Sequence, residues 1–343
     1  MQFLQRSWTA DRKRIRTATM VIVVAALVGL VLYLGGREHF GPDQYAQLAV
    51  DGLSGGSVYA LIGLGFVVIH DVTGIVNFAQ GEFVMLGAML SVTFNNMDFP
   101  LPPVAKLVLA IFLALAVTTL VGVLIERAAI YPARRSPVLA LIVITIGADI
   151  ATRALALLVW GTRPYFLPAF TSMGLADKTL RWGDIILQAQ YFWIWGVGAI
   201  ILIGLFFFFE RTLMGKALRA CAINRKAAQL MGISPSRMSL LAFSLAAAIG
   251  AMGGIVMAPI TRPTYDMGLV LGLKGFVAAI MGGLVSLPGA VVGGLLLGVV
   301  ENIGAGVTSS GYKDIIAFVL LVFILLFSPR GIFGGGEKGV EDA

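Results

Sequence analysis

Nine apolar runs, at residues 18–34, 48–69, 78–94, 104–125, 138–160, 191–209, 240–260, 276–300 and 315–327, follow one another through this chain with only polar connections between them. Most approach the roughly 20 residues that an α-helix needs to cross a bilayer, and together they consume roughly half of the chain. Only 13% of the residues are charged, about half the share found in soluble domains, so a water-facing surface of ordinary composition is excluded. The fold class read from this pattern is all-α: a polytopic integral membrane helical bundle of about eight to ten membrane segments, including broken or re-entrant helices. No separate soluble domain fits.

Lys and Arg number 25 against 18 Asp and Glu, a formal charge of +7. The excess lies beside apolar spans without the interleaved aromatics of a nucleic-acid platform, so it reports orientation in the membrane and excludes nucleic acid as a partner. Arg6, Arg12, Lys13, Arg14 and Arg16 precede the first run. That run is too long for a signal peptide and lacks a small-residue cleavage site, so it reads as a retained helix with its N-terminus in the cytoplasm. The same rule places the connection holding Arg127, Arg134 and Arg135 inside, together with the one from Arg211 to Arg237. Residues 161–190 fall outside, with Trp160 and Trp182 at interfacial level. Run 276–300 is interrupted by Ser286-Leu287-Pro288-Gly289, and two half-helices there would bring the C-terminal tail inside. A lone Cys221 excludes an internal disulfide, and with only His39 and His70 beside it no metal site is expected.

Glycines spaced by four, at Gly52 and Gly56, Gly250 and Gly254, Gly289 and Gly293, and Gly294 and Gly298, let helix backbones approach closely in lipid. Gly52-Leu53-Ser54-Gly55 has the pattern of an intramembrane serine protease, but the membrane's only base, His70, lies about 24 Å further along a continuous helix. No catalytic residue is assigned. The stretch from Thr73 to Ala88 carries Asn77, Gln80 and Glu82 in an apolar run. Polar groups there cap a half-helix, tie two helices together or line a watery path, and discontinuous segments in both halves of a chain are typical of transporters. Asp149 and Arg153, four apart, share a helix face and form an intramembrane ion pair. Asp51 and Lys274 read as interfacial, with Lys274 able to snorkel. Residues 211–237 alternate apolar and basic residues at helical spacing, as a short amphipathic helix on the membrane face does, and Gly232 is placed to stop it. Nowhere is there a Gly-x-x-x-x-Gly-Lys-Ser/Thr phosphate loop, so this chain does not hydrolyse ATP by that route.

Four blocks carry a resemblance to a family: DGLSGGSVYALIGLGFVVIHDVTGIVNFAQGEFVMLGA from Asp51, MGKALRACAINRKAAQLMGIS from Met214, GLKGFVAAIMGGLVSLPGAVVGGLLLGVVE from Gly272, and GYKDIIAFVLLVFILLFSPRGIFG from Gly311. The chain resembles the H-type permease subunits of branched-chain amino acid ABC importers. The resemblance implies a permease domain over 37–336, preceded by a basic tail and extra helix at 1–36 and followed by a short tail at 337–343. It implies half of a pore in a bacterial or archaeal plasma membrane, moving branched-chain or related amino acids inward. Implied partners are a second related permease or second copy, two ATP-binding cassette subunits and a periplasmic or lipid-anchored solute-binding protein. This chain would hold no cofactor, ATP and Mg being bound by the partner ATPases.

By the same resemblance, Gly215, Arg219, Arg225, Lys226, Ala227, Ala228 and Gly232 form the coupling loop to the ATPase, with Lys226 where importers usually carry glutamate. Ser54, Ser57, Tyr59, Asn77, Gln80 and Glu82 are the expected translocation-path residues. Related permeases carry urea or short amides. An ion-coupled secondary transporter is the remaining rival, with Glu82 or Asp149 as its coupling carboxylate.

Overall fold

The computed structural model describes residues 40–170, 179–328 and 331, with scattered positions from 29 to 36. The expected first helix over 18–34 and the tail at 337–343 lie outside the described residues, save for those scattered positions. Within the described residues the apolar runs are helices, joined by turns and one short β-hairpin, Leu180–Trp182 paired antiparallel with Ile185–Leu187.

Helix α1 (Pro42–Thr73) is the axis of the bundle. Pro42 opens it and the Gln44 side chain accepts the Gly41 N–H at 3.0 Å; Gly74, at φ +71°, closes it in the left-handed region that favours glycine. It is apolar on all sides and buried on nearly all of them, as expected of a helix surrounded by others. Helix α2 (Gln80–Asn96), α8 (Pro235–Thr261), α9 (Met267–Gly282) and α10 (Leu287–Val307) pack around it.

The outer helices are α3 (Pro103–Ile125, continued by a π-helical turn Glu126–Ile130), α4 (Val138–Trp160), α5 (Ala189–Arg211) and α11 (Lys313–Phe327). Each leaves an apolar face exposed, with Phe112, Val143, Ile200 and Val319 among its members. In a water-soluble protein such faces would be a liability; against lipid they need no cover. Among the described residues seven helices are long and apolar enough to cross a membrane, and α9 is a shorter apolar one. This is a multi-pass membrane protein.

The four-residue glycine spacing has a direct cause. A Cβ on Gly56 would lie 2.7 Å from the Gly294 carbonyl oxygen, and one on Gly52 would lie 2.7 Å from Val299 Cα. Gly298 and Gly294 meet Gly56 and Ala60 from the other side, so α1 and α10 touch backbone to backbone. Gly254 against Val84 and Gly87 against Ala251 join α8 to α2 in the same way.

The bounds of run 276–300 are corrected: it is two helices, as its interruption implied, but α9 already begins at Met267, the chain turns at 283–286, and Leu287, Pro288 and Gly289 open α10. Gly283 (φ +97°) and Leu284 (φ +56°) reverse the chain, and Ser286 Oγ caps α10 by accepting Gly289 N–H at 3.1 Å. Gly268, Gly272, Lys274 and Gly275 diluted the apolar signal and hid the start of α9. The α9–α10 turn, the end of α5 and the loop after it line one cavity, and Gly331, beyond α11, packs on Gly283. The end of α11 therefore lies at the same face as that loop.

Candidate translocation site

Between α1 and α2 the chain is unwound. Residues 74–79 turn back from the end of α1 into the bundle, so that Gln80 opens α2 against Gly65 of α1, about 12 Å in from Thr73 at helical rise. The segment spends its polar groups on itself and on α4. Asn77 Oδ1 accepts Ala79 N–H at 3.3 Å, and the Thr145 hydroxyl accepts Phe78 N–H at 3.3 Å. Gln80 Nε2 donates to the Ala246 carbonyl of α8 at 3.0 Å.

Much is left over. Among the described residues Asn77 Nδ2 and Gln80 Oε1 have no hydrogen-bond partner and the Glu82 carboxyl has no donor but the Asp149 carboxyl beside it, although all three residues are fully buried. An orphaned buried group costs about 1–3 kcal/mol, so poorly paired groups gathered in one place single out this junction as the candidate site. The charged groups facing Glu82 are Asp149 and Arg153 of α4 and Asp266 before α9. Arg153 Nη2 is already held by Asp149 Oδ2 at 2.7 Å. Helix α9 begins beside α2: Gly81 abuts Gly268 and Gly272. The partner of the broken α1–α2 junction is thus the start of α9, not the interruption at 286–289.

Six path residues were expected, and the structure brings three of them together. Asn77, Gln80 and Glu82 share the unwound junction. Ser54 and Ser57 donate to the carbonyls of Val50 (3.2 Å) and Leu53 (2.8 Å) in their own helix. Tyr59 OH donates to Glu301 Oε1 at 3.2 Å in a second polar cluster.

That cluster corrects the reading of Lys274 as an interfacial, snorkelling residue. Lys274 is buried, and its Nζ lies 2.7 Å from Glu301 Oε1 and 2.7 Å from Asp314 Oδ1, with Lys313 Nζ at 3.7 Å from Glu301. The reason is its place on α9 between α1 and α10, where a lysine reaches a buried carboxylate before it reaches water. Glu301 went unnoticed because it closes an apolar run, yet a carboxylate there already asks for a cation.

The loop after α5 is two helices, not one. Helix α6 (Leu213–Ile223) is capped by Thr212, whose hydroxyl accepts Gly215 N–H at 3.0 Å. Helix α7 (Arg225–Leu230) is capped by Asn224 Oδ1 on Ala227 N–H at 2.9 Å. Gly232, at φ +83°, ends α7 with Ile233 N–H bonded to the Ala228 carbonyl at 3.0 Å, the pattern of a Schellman cap. Ala228 and Cys221 are buried against the bundle while Lys226 and Ala227 face out. Burial pushes the Cys221 thiol up, with the Arg225 charge opposing. Arg219 pairs with Glu210 at 2.9 Å, and Arg225 Nη1 reaches the carbonyl of Thr73 at 3.5 Å. The loop thus touches the residue at which α1 gives way to the unwound segment.

Residues 48–325 match the family model for the permease component of branched-chain amino acid transport systems. This chain belongs to that family. The permease is 35% identical to BraD of Pseudomonas aeruginosa, a high-affinity branched-chain amino acid transport system permease protein, over 85% of this chain and 97% of BraD. It is 34% identical to LivH of Escherichia coli K12, of the same description, over 85% and 96% of the two chains. A probable branched-chain amino acid transport permease protein of Methanocaldococcus jannaschii is 28% identical over 84% and 94%. The permease's unwound junction, its glycine seams and its α6–α7 loop all lie within the matched region.

Proposed function

We propose that this permease moves branched-chain amino acids inward as one subunit of an ABC-type importer, with the α6–α7 face in the cytoplasm. The basic connections at 127–135 and 211–237 support that orientation, which would also put the N-terminus inside a bacterial or archaeal plasma membrane. A second permease subunit, two ATP-binding subunits that hold ATP and Mg, and a solute-binding protein complete the machine.

One observation carries the mechanism: Arg225 of the loop on the carbonyl of Thr73. Force applied to α7 by an ATPase would reach the last residue of α1 directly, and with it the segment presenting Asn77, Gln80 and Glu82. Their orphaned polar atoms give a passing solute or its water somewhere to bind without a deep pocket. The α2 and α9 starts, in glycine contact at Gly81 and Gly268, can slide without tearing a packed core.

The test is to purify the chain from its native membrane, identify what accompanies it by mass spectrometry, and reconstitute the assembly. Co-purification of an ATP-binding subunit and ATP-dependent leucine uptake are expected. A chain that arrives alone and moves solute under an ion gradient without ATP overturns the proposal, and uptake of urea or short amides in place of leucine would revise its substrate.

A further inference from the structure

A cavity of about 420 Å³ opens at the α6–α7 face, between the π-helical turn, α7, α8 and the start of α4. It stands apart from the Asn77 to Glu82 site but shares the unwound segment with it, since Thr73 and Ile75 are in its wall. On the apolar side lie Ile75 and Leu141; on the polar side lie Arg134, Arg135 and Arg225. Among these cations sits one carboxylate, Glu126, which is 1% exposed. Ser239 supports it, yet its Oε2 has no hydrogen-bond partner.

A buried carboxylate with a free oxygen calls for a cationic donor, and Arg134, stacked on the Tyr131 ring, and Arg135 at the exposed rim leave N–H donors for an anion. One small molecule answers both: a zwitterion, its ammonium on Glu126 and its carboxylate on an arginine, with an apolar side chain against Ile75 and Leu141. The volume is in the range that encloses small ligands. We infer that this cavity is a second solute site, taking a free amino acid with an apolar side chain on the cytoplasmic face. The inference rests on the import reading above for its orientation.

The site has a consequence for transport. Its walls come from α7, the π turn, α4 and α8, elements that the coupling loop must move past one another. A ligand bridging them stabilises the arrangement described here over any in which they separate. Accumulated solute would then hold the importer in that arrangement and slow it.

The experiment uses the whole importer in nanodiscs without its binding protein, and in proteoliposomes with it. Equilibrium binding of radiolabelled leucine to the nanodiscs should show a site that Glu126→Gln weakens at least tenfold. In proteoliposomes, leucine preloaded in the compartment facing α6–α7 should slow uptake several-fold in the wild type and not in Glu126→Gln. Uptake into empty vesicles should be the same in both. Arg134→Ala serves as a second variant with the same expected loss, should Glu126→Gln fail to assemble. A wild type that binds no leucine in nanodiscs overturns the inference whatever is transported, and so does binding or inhibition that neither variant alters. If instead the variants respond to phosphatidylethanolamine content and not to leucine, the occupant is a lipid headgroup and the inference fails. Absence of uptake into empty wild-type vesicles counts against the import reading alone.

Discussion

Two clusters of polar side chains stand in the same bundle and are paired to different degrees. At one, Lys274, Glu301, Asp314 and Tyr59 bring charge to charge at 2.7 Å and hydroxyl to carboxylate at 3.2 Å. At the other, Asn77, Gln80 and Glu82 are equally buried, but Asn77 Nδ2 and Gln80 Oε1 lack partners among the described residues and Glu82 meets only another carboxyl, Asp149. The first cluster joins α1, α9, α10 and α11 side by side and meets each charge with an opposite one, leaving Glu301 Oε2 as its one buried atom without a partner among the described residues. The second sits where the backbone is unwound and helix starts meet. Burial alone does not separate a structural polar group from a functional one; how much of its pairing is supplied from within does.

The sharpest way to break this contrast is to remove one member of the satisfied cluster. Lys274→Met leaves Glu301 buried with the Tyr59 hydroxyl and the more distant Lys313, and should cost about 3–5 kcal/mol of stability. The double variant Lys274→Met/Glu301→Leu removes both charges and should recover most of that loss. Thermal unfolding of the purified protein reads both. A double variant no more stable than Lys274→Met would mean that the pair is not what holds these helices.

The glycine seam between α1 and α10 comes next in size, because Tyr59 and Glu301 face each other across it. Gly56→Ala places a methyl group 2.7 Å from the Gly294 carbonyl oxygen and 2.9 Å from Leu295 Cα, and should cost about 1–3 kcal/mol. Gly147→Ala on α4 meets nothing within 4 Å and should be neutral or stabilising by up to about 1 kcal/mol. Equal effects in a thermal-shift measurement would refute the backbone contact.

How much of this was legible beforehand depended on the scale of each signal. Helix positions follow from apolar length, which is why α1, α3, α4, α5 and α8 lie close to their expected bounds. The start of α9 was not legible, since glycines chosen for close contact with α1 and α2 carry little hydropathy. Asn77, Gln80 and Glu82 stood out because polarity in an apolar run is costly whatever surrounds it. Which of them lacks a partner is a property of α4 and α8 as well, and no local pattern contains it. Lys274 was misjudged for the same reason: its partner Glu301 belongs to another helix.

The unsatisfied cluster should respond in function and not in stability. Gln80→Leu deletes one neutral hydrogen bond, to Ala246, and with it an orphaned acceptor, so unfolding should shift by less than about 1 kcal/mol. Uptake by the reconstituted importer should nonetheless fall about tenfold or more, a change of ~1.4 kcal/mol in the barrier. Normal uptake by Gln80→Leu would move the path away from the junction. A collapse in stability would make Gln80 a structural residue like Lys274.

The smallest expected effect asks whether the two clusters are independent. Cys221 is a native probe on α6, beside the loop that touches Thr73, whereas Glu301 lies about 21 Å along α10 from that face at helical rise. The thiolate is the reactive form. Burial raises the Cys221 pKa, so maleimide labelling near neutral pH should be slow against a cysteine at exposed Ala222 in a Cys221→Ala background, and should rise with pH. Removing the Arg225 charge takes away the influence that lowers this pKa. Arg225→Ala should therefore slow labelling at a given pH and move its profile to higher pH. Faster labelling would instead show that α6 had come away from the bundle, making Arg225 the tether between loop and junction. In Lys274→Met, measured well below its unfolding temperature, the profile should match that of the unaltered protein, because sites this far apart without shared partners act additively. A shifted profile would mean that the ion-paired cluster and the α6–α7 face move together, and that the two ends of the bundle are not independent.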